Sequence, residues 1–183
     1  MTDRGHAYAM VRRALTIVTF ATVFALGPAA AEAGAPKDDW PRINGELWIN
    51  GDDHDASHSG TAKNDELLGG HGDDRLHGRR GHDVIWGDHK ASGNTAHQND
   101  TLRGGRGHDW IYASHGWNVI YGGPGHDTIR VWFGRGFVDC GAGDDDILYV
   151  SKTQNKKVKR RNCERVMHKS AKDAVNDRNG LYD

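Results

Sequence analysis

The chain has 183 residues, of which 36% are hydrophobic and 25 are glycine, and its formal net charge is −1. So few large apolar side chains argue against an ordinary domain that is held together by apolar packing alone. The near-neutral total conceals an acidic body, residues 34–150, and a basic tail, residues 151–183. We therefore expect a single domain that needs a further source of stability.

The first 33 residues have the organisation of a secretory signal peptide. Arg12 and Arg13 precede an apolar run from Ala14 to Leu26, and the small-residue stretch Ala31-Glu32-Ala33 follows. The apolar run is short for a membrane-spanning helix of about 20 residues, so an uncleaved anchor is the less favoured alternative. The sequence thus predicts cleavage near Ala33 and a secreted, extracellular protein.

Nonapeptide repeats fill residues 49–150, after a segment, residues 34–48, that we expect to cap the first repeat. The clearest units begin at Gly69, Gly78, Gly104, Ala113, Gly122 and Cys140. The eighth residue of a unit is aliphatic, and these residues predict the inner ladder of a solenoid. They are Leu67, Leu76, Ile85, Leu102, Ile111, Ile120, Ile129, Val138 and Ile147. Two polar insertions, after Gly51-Asp52 and after Gly87-Asp88, interrupt the period without ending the domain.

The units match GGxGxDxUx, where U is a large aliphatic residue, and so resemble the RTX, or haemolysin-type, calcium-binding repeats. The resemblance covers residues 51–150 and implies an all-β fold, a right-handed parallel β-roll of about four to five coils with Ca²⁺ between stacked turns. Two units form one coil, so units eighteen residues apart stack at the same edge. EF-hand loops are a poorer alternative, because the chain lacks their twelve-residue loop and flanking helices.

The sixth position of the units carries the expected metal ligands. One edge of the roll has an unbroken series: Asp65, Asp83, Asp109, Asp127 and Asp145. The other edge has Asp74 and Asp100, followed by Asn118 and Gly136. An ion between two turns would take a carboxylate and backbone carbonyl oxygens, which are the ligands that Ca²⁺ prefers. Because stacked carboxylates repel one another without metal, we expect folding to be coupled to calcium binding, with most ions at the first edge.

Histidines recur at the fifth position of three units that share the first edge, namely His82, His108 and His126. A column of such rings predicts either a transition-metal or pH-sensitive ladder or, as the favoured alternative, simple solvated side chains. His54, His58, His89 and His97 lie in the two insertions without a recognised metal-binding spacing. The aromatic residues between the aliphatic positions are interpreted as packing residues, with sugar binding at an outer face as the alternative.

Cys140 and Cys163 both lie in the exported part of the chain, where an even number of cysteines favours a disulfide over a two-cysteine metal site. The segment VDCGAGDDDILYV followed by NCERV also resembles the end of short secreted actinobacterial-type members of the RTX family. That resemblance implies a bond from the last repeat to the basic tail. The tail's basic run, Lys156 to Arg161, is interpreted as a solvated or folded segment, with an anionic surface as the alternative partner and no specific nucleic acid.

No nucleophile elbow, zinc-protease helix motif or phosphate-binding loop occurs in the chain. The sequence therefore predicts a calcium-binding protein without enzymatic activity, with a structural or adhesive role outside the cell and an unknown extracellular partner. The alternative is a secreted metal-dependent hydrolase that uses the histidines of the insertions.

Overall fold

The computed structural model describes residues 40–51, 54–89, 97–113 and 115–169. The expected signal peptide, residues 34–39 of the expected N-terminal cap and residues 170–183 of the tail lie outside the described residues. Within them all regular structure is β-strand, and no helix is long and apolar enough to cross a membrane.

Thirteen short strands wind into two parallel sheets. They are β1 (Leu47–Ile49), β2 (Ser57–Ser59), β3 (Glu66–Leu68), β4 (Arg75–Arg80), β5 (Val84–Trp86), β6 (Asn99–Arg106), β7 (Trp110–Tyr112), β8 (Trp117–Pro124), β9 (Thr128–Val131), β10 (Arg135–Ala142), β11 (Ile147–Ser151), β12 (Val158–Arg161) and β13 (Arg165–Lys169). The odd-numbered strands form a seven-stranded sheet and the even-numbered strands a six-stranded sheet, each in chain order.

This topology confirms the parallel β-roll. Each strand pairs with the strand two positions along the chain, so that Leu67 lies beside Ile85 and Ile85 beside Ile111. The roll has about six coils, more than the four to five expected. The difference arises because β1 and β2 extend it at one end and β12 and β13 at the other, where the repeat motif is no longer recognisable in the sequence.

The interior is a narrow ladder of aliphatic side chains from both sheets. All but one of the aliphatic residues expected in the ladder are buried, from Leu67 to Val138. In the last repeat Leu148 is fully buried and pairs with Ile129, whereas Ile147 is only partly buried and lies beside Thr128. The expectation for Ile147 was therefore wrong by one residue.

Most outward aromatic rings pack on one another. Trp86 stacks on Tyr112 with ring centroids 3.8 Å apart, and Trp40 lies 6.4 Å and 6.3 Å from these two rings. Trp132 is buried near Tyr149. Trp117 differs, because 42% of it is exposed.

A disulfide joins β10 to the segment between β12 and β13. Cys140 is fully buried and bonded to Cys163, with their Cα atoms 5.1 Å apart, as the sequence predicts. The bond lies where β12 and β13 complete the two sheets, so this part of the basic tail belongs to the roll. It therefore holds the last coil in register at the open end of each sheet.

Replacing both cysteines by alanine should lower the stability of the calcium-loaded protein by about 3 kcal/mol in the chain-entropy model. The reason is that the bond closes a loop with a sequence separation of 23 residues. Denaturant unfolding in excess calcium measures the change. Two free thiols in native exported protein, found by mass spectrometry, would contradict the pairing.

Candidate metal centre

A column of acidic residues runs along one edge of the roll, at the turns that precede the strands of the seven-stranded sheet. Each backbone N–H donates to Oδ1 of the aspartate in the next coil. The N···O distances are 2.8 Å from Asp83 to Asp109, 2.9 Å from Asp109 to Asp127 and 2.7 Å from Asp127 to Asp146. Asp65 donates to Asp83 in the same way, at 2.8 Å. The column thus extends through every coil from β3 to β11.

Four of the carboxylates in this column have one oxygen without a partner, whereas both oxygens of Asp65 accept hydrogen bonds. Oδ2 of Asp83, Asp109, Asp127 and Asp146 is buried and has no hydrogen-bond partner. A buried carboxylate oxygen without a partner costs free energy. Cations bound between successive coils would give all four oxygens a partner. The leftover oxygens therefore fit a hard metal ion that binds oxygen.

Glycines bring backbone carbonyl oxygens close to these leftover oxygens. A Cβ added at Gly104 would clash with Oδ2 of Asp109 and would lie 2.6 Å from the carbonyl oxygen of Gly122 in the next coil. A Cβ added at Gly78 would likewise clash with Oδ2 of Asp83 and would lie 2.7 Å from the carbonyl oxygen of Gly104. Only a residue without a side chain leaves both kinds of oxygen open to one ion.

The last aspartate of the column is Asp146, and the expectation of Asp145 was wrong. Asp146 is fully buried, whereas Asp145 has a side chain that is 61% exposed and lies 3.6 Å from Arg165. The column then continues to Glu164, whose Oε2 accepts the N–H of Asp146 at 3.0 Å. Sequence reasoning missed Glu164, although it stands two residues before the partly buried Val166, as Asp146 stands two before Leu148.

The opposite edge has a shorter acidic column, as expected from the sequence. Asp74 and Asp100 are buried there, and the N–H of Asp74 donates to Oδ1 of Asp100 at 3.0 Å. Asn118 and Gly136 follow in register. Among the described residues at the sixth position of the units, carboxylates thus adjoin in one pair of coils at this edge.

Comparison with protein families agrees with this geometry. The model of the RTX calcium-binding nonapeptide repeat matches residues 59–88 and 98–129, in four copies. These ranges contain the turns of Asp65, Asp74, Asp83, Asp100, Asp109 and Asp127. The chain therefore contains RTX-type calcium-binding nonapeptide repeats. No curated protein and no solved structure matches it.

RTX repeats bind Ca²⁺, and calcium is therefore the cofactor of this roll. In the part of the chain that the structure describes, no three His, Cys, Asp or Glu side chains converge on one point. Side chains alone thus do not form the sites. Asp83, Asp109, Asp127 and Asp146 would each supply a carboxylate oxygen, and glycine carbonyls of the adjoining turns would supply the others. The bound ion would neutralise the stacked carboxylates.

Burial without a counter-charge disfavours ionisation of the column. Burial raises the pKa of Asp83 and of Asp109 to about 7, and that of Asp127 to about 8. It also raises the pKa of Asp146, and at the opposite edge it raises that of Asp74 to about 6. Neighbouring carboxylates add to the increase at each of these positions, although backbone hydrogen bonds oppose it. At neutral pH the metal-free column therefore resists holding its full charge.

The histidine column lies directly beside the aspartates. The rings of His82, His108 and His126 stack in parallel with centroids 4.8 Å apart, so the expected column is confirmed. Nδ1 of His82 accepts the N–H of His108 at 2.8 Å, and Nδ1 of His108 accepts that of His126 at 2.9 Å. The rings therefore contribute to the coil-to-coil hydrogen bonds.

We predict that Asp146→Asn raises the calcium concentration needed for folding, whereas the neighbouring Asp145→Asn does not. Asparagine keeps the hydrogen bond from Asp127 but removes the charge that the ion would neutralise. Asp145 loses only an exposed ion pair, worth at most about 1 kcal/mol. Calcium titrations followed by circular dichroism compare the two variants, and an equal shift in both would contradict the register.

The raised pKa values also predict opposite pH dependences with and without calcium. A carboxyl whose pKa is higher in the fold than its usual 3.8 makes the metal-free fold lose stability as the pH rises through 4 to about 7 or 8. In chelator, β structure should therefore be greater at pH 5 than at pH 8. With calcium, the calcium concentration at the midpoint of folding should be lower at pH 8 than at pH 5, because protons no longer compete with the ion. A calcium midpoint that is unchanged between pH 5 and pH 8 would count against this account.

Proposed function

We propose that this protein is secreted, folds when it binds extracellular calcium, and then serves a structural or adhesive role rather than a catalytic one. The observation that carries this proposal is the column of buried carboxylates, four of which have an oxygen without a partner. Such a column destabilises the fold without metal and stabilises it when calcium is bound. The free energy of calcium binding therefore contributes to the free energy of folding.

The N-terminal sequence supports export, because a basic pair, an apolar run and a small-residue stretch follow one another before residue 34. The disulfide supports the same compartment, since such bonds persist where the surroundings are oxidising. Extracellular calcium is abundant compared with calcium inside a cell. A protein that leaves the cell unfolded would then acquire its fold outside.

The proposed role outside the cell rests on the shape of the roll. Two sheets of short parallel strands present extended outer faces, whereas catalysis needs converging groups in a concave site. The hydrolase alternative gains no support from the insertion histidines that the structure describes. His58 lies 3.0 Å from Glu46 and stacks on Trp48, so it belongs to the packing of the first coils.

The mature protein in excess chelator should be largely unfolded at pH 8 and should gain β structure when millimolar calcium is added. Magnesium at the same concentration should act poorly, because it demands octahedral geometry and releases its water reluctantly. Circular dichroism with a calcium titration measures both effects. A β spectrum that is indifferent to chelator would refute the coupling of folding to calcium.

A further inference from the structure

The outer face of the six-stranded sheet carries a concentration of cations. We call it the basic face and define it by exposed residues of β4, β6 and β12: Arg75, Arg79, Arg80, Arg103, Arg106, Lys159 and Arg161. Strand pairing brings Arg80 beside Arg106 and His77 beside Arg103. Neighbouring strands lie about 4.8 Å apart, so the cations of β4 and β6 lie close together, whereas β8 and β10 separate them from those of β12.

Acidic groups do not balance this array. Among the described residues on the outer face of the six-stranded sheet, Asp139 is the one carboxylate. It forms an ion pair with Arg161 at 2.6 Å and accepts a hydrogen bond from Asn162 at 2.8 Å. The described residues place no carboxylate in an ion pair with Arg75, Arg79 or Arg103. Burial and the charges of Arg103 and Arg79 lower the pKa of His77, as expected in a positive field.

Arg79 provides an independent sign that the charge is useful. Its φ is 84°, in the left-handed region that is unfavourable for a residue with a side chain. Gly105 is its partner in the register, and Gly123 and Gly141 continue the row, all three with φ of 121°. Glycine would fit at position 79 without strain, yet an arginine stands there. Strain kept at an exposed cationic side chain points to binding.

The basic run of the tail joins the same face. β12 pairs with β10, so that Lys159 lies beside Phe137 and Arg161 beside Asp139. The part of the tail that the structure describes thus contributes β12 to the same sheet as β4 and β6. It places further cations at the last strand of that sheet.

Charge complementarity points to a linear polyanion, and the aromatic residues narrow the choice. Single-stranded nucleic acids are held by successive bases that stack on open rings. Here the guanidinium of Arg103 covers Tyr121 at 4.6 Å and that of Arg161 lies over Phe137 at 5.5 Å. Trp117, at the start of β8, is 42% exposed. A single exposed ring is sufficient to stack against a sugar. Guanidinium groups bind carboxylates and sulfates in fork-like pairs.

We propose that the basic face binds an acidic polysaccharide, through its carboxylate or sulfate groups, when calcium has folded the roll. The inference rests on the proposed function in this one respect, that calcium aligns the arginines by folding the sheet. It identifies the class of partner for the adhesive role. The groups that bind the polysaccharide are distinct from the carboxylates that bind calcium.

Binding is tested with the calcium-loaded mature protein and three polymers: dextran sulfate, hyaluronate and neutral dextran. Calorimetric titration should show binding of the two charged polymers, weaker at higher salt, and none of neutral dextran. Single-stranded DNA and anionic vesicles are titrated at the same charge concentration. Tighter binding of either than of both polysaccharides would overturn the assignment of the partner.

Matched variants locate the site. Arg75→Ser with Arg106→Ser should weaken binding of dextran sulfate by about fivefold per arginine, the usual scale of an exposed ion pair. The control is Lys63→Ser with Lys152→Ser, which removes the same charge from residues outside the basic face. An equal loss in the control would show that net charge alone is responsible and would overturn the proposal.

Arg79→Gly distinguishes binding from folding. The change relieves the left-handed strain, so the calcium midpoint for folding should fall, while the affinity for dextran sulfate should also fall. Unchanged affinity in this variant would contradict a role for Arg79. Circular dichroism of the same samples distinguishes a failure of calcium-coupled folding from a failure of polysaccharide binding at the basic face. A fold that persists in chelator refutes calcium-coupled folding alone, whereas normal calcium folding with undiminished binding in the arginine variants refutes the basic face alone.

Discussion

The stack of buried carboxylates is the constraint on which this fold depends. Asp83, Asp109 and Asp127 each use one oxygen to hold the preceding coil and leave the other without a partner. The same residues therefore connect the coils and oppose their association, because the connected charges repel. A cation shared between turns removes that conflict, and no rearrangement of the apolar ladder would do so.

The weakness of the apolar core explains why this dependence is tolerated. Each half-coil contributes about one fully buried aliphatic residue, such as Ile111 or Ile120. The free energy gained by apolar burial is therefore small compared with the loss of backbone entropy that folding requires. Glycines at the turns add to that entropy but leave the carbonyl oxygens accessible. In the proposed function, ionic binding takes the place of apolar packing, and the stability of the roll would follow the calcium concentration of its surroundings.

Periodicity was enough to predict the parallel roll, the two edges and the positions of six of the seven aspartates in the two acidic columns. It failed where one residue is added to the period. Asp146 follows Asp127 by 19 residues instead of 18, and the run of three aspartates before Ile147 and Leu148 hides the added residue in the sequence. Tertiary contacts decide it, because Leu148 and Val150 point inward together while Tyr149 meets Arg130 outside. The end strands were missed because β12 and β13 lack the repeat motif that marks the other coils.

The distribution of charge shows why counting along the chain misled. By sequence the body is acidic and the tail basic, and the basic run of the tail is interpreted as a solvated segment or one folded over the body. In the structure the division is by depth, because the aspartates of the columns are buried in the turns while the arginines of β4 and β6 are exposed. Bound calcium would cancel the buried negative charge and leave the exposed positive charge unopposed. A chain with a formal charge of −1 can therefore present a cationic surface, and in the proposed function it would do so only after calcium has folded the roll.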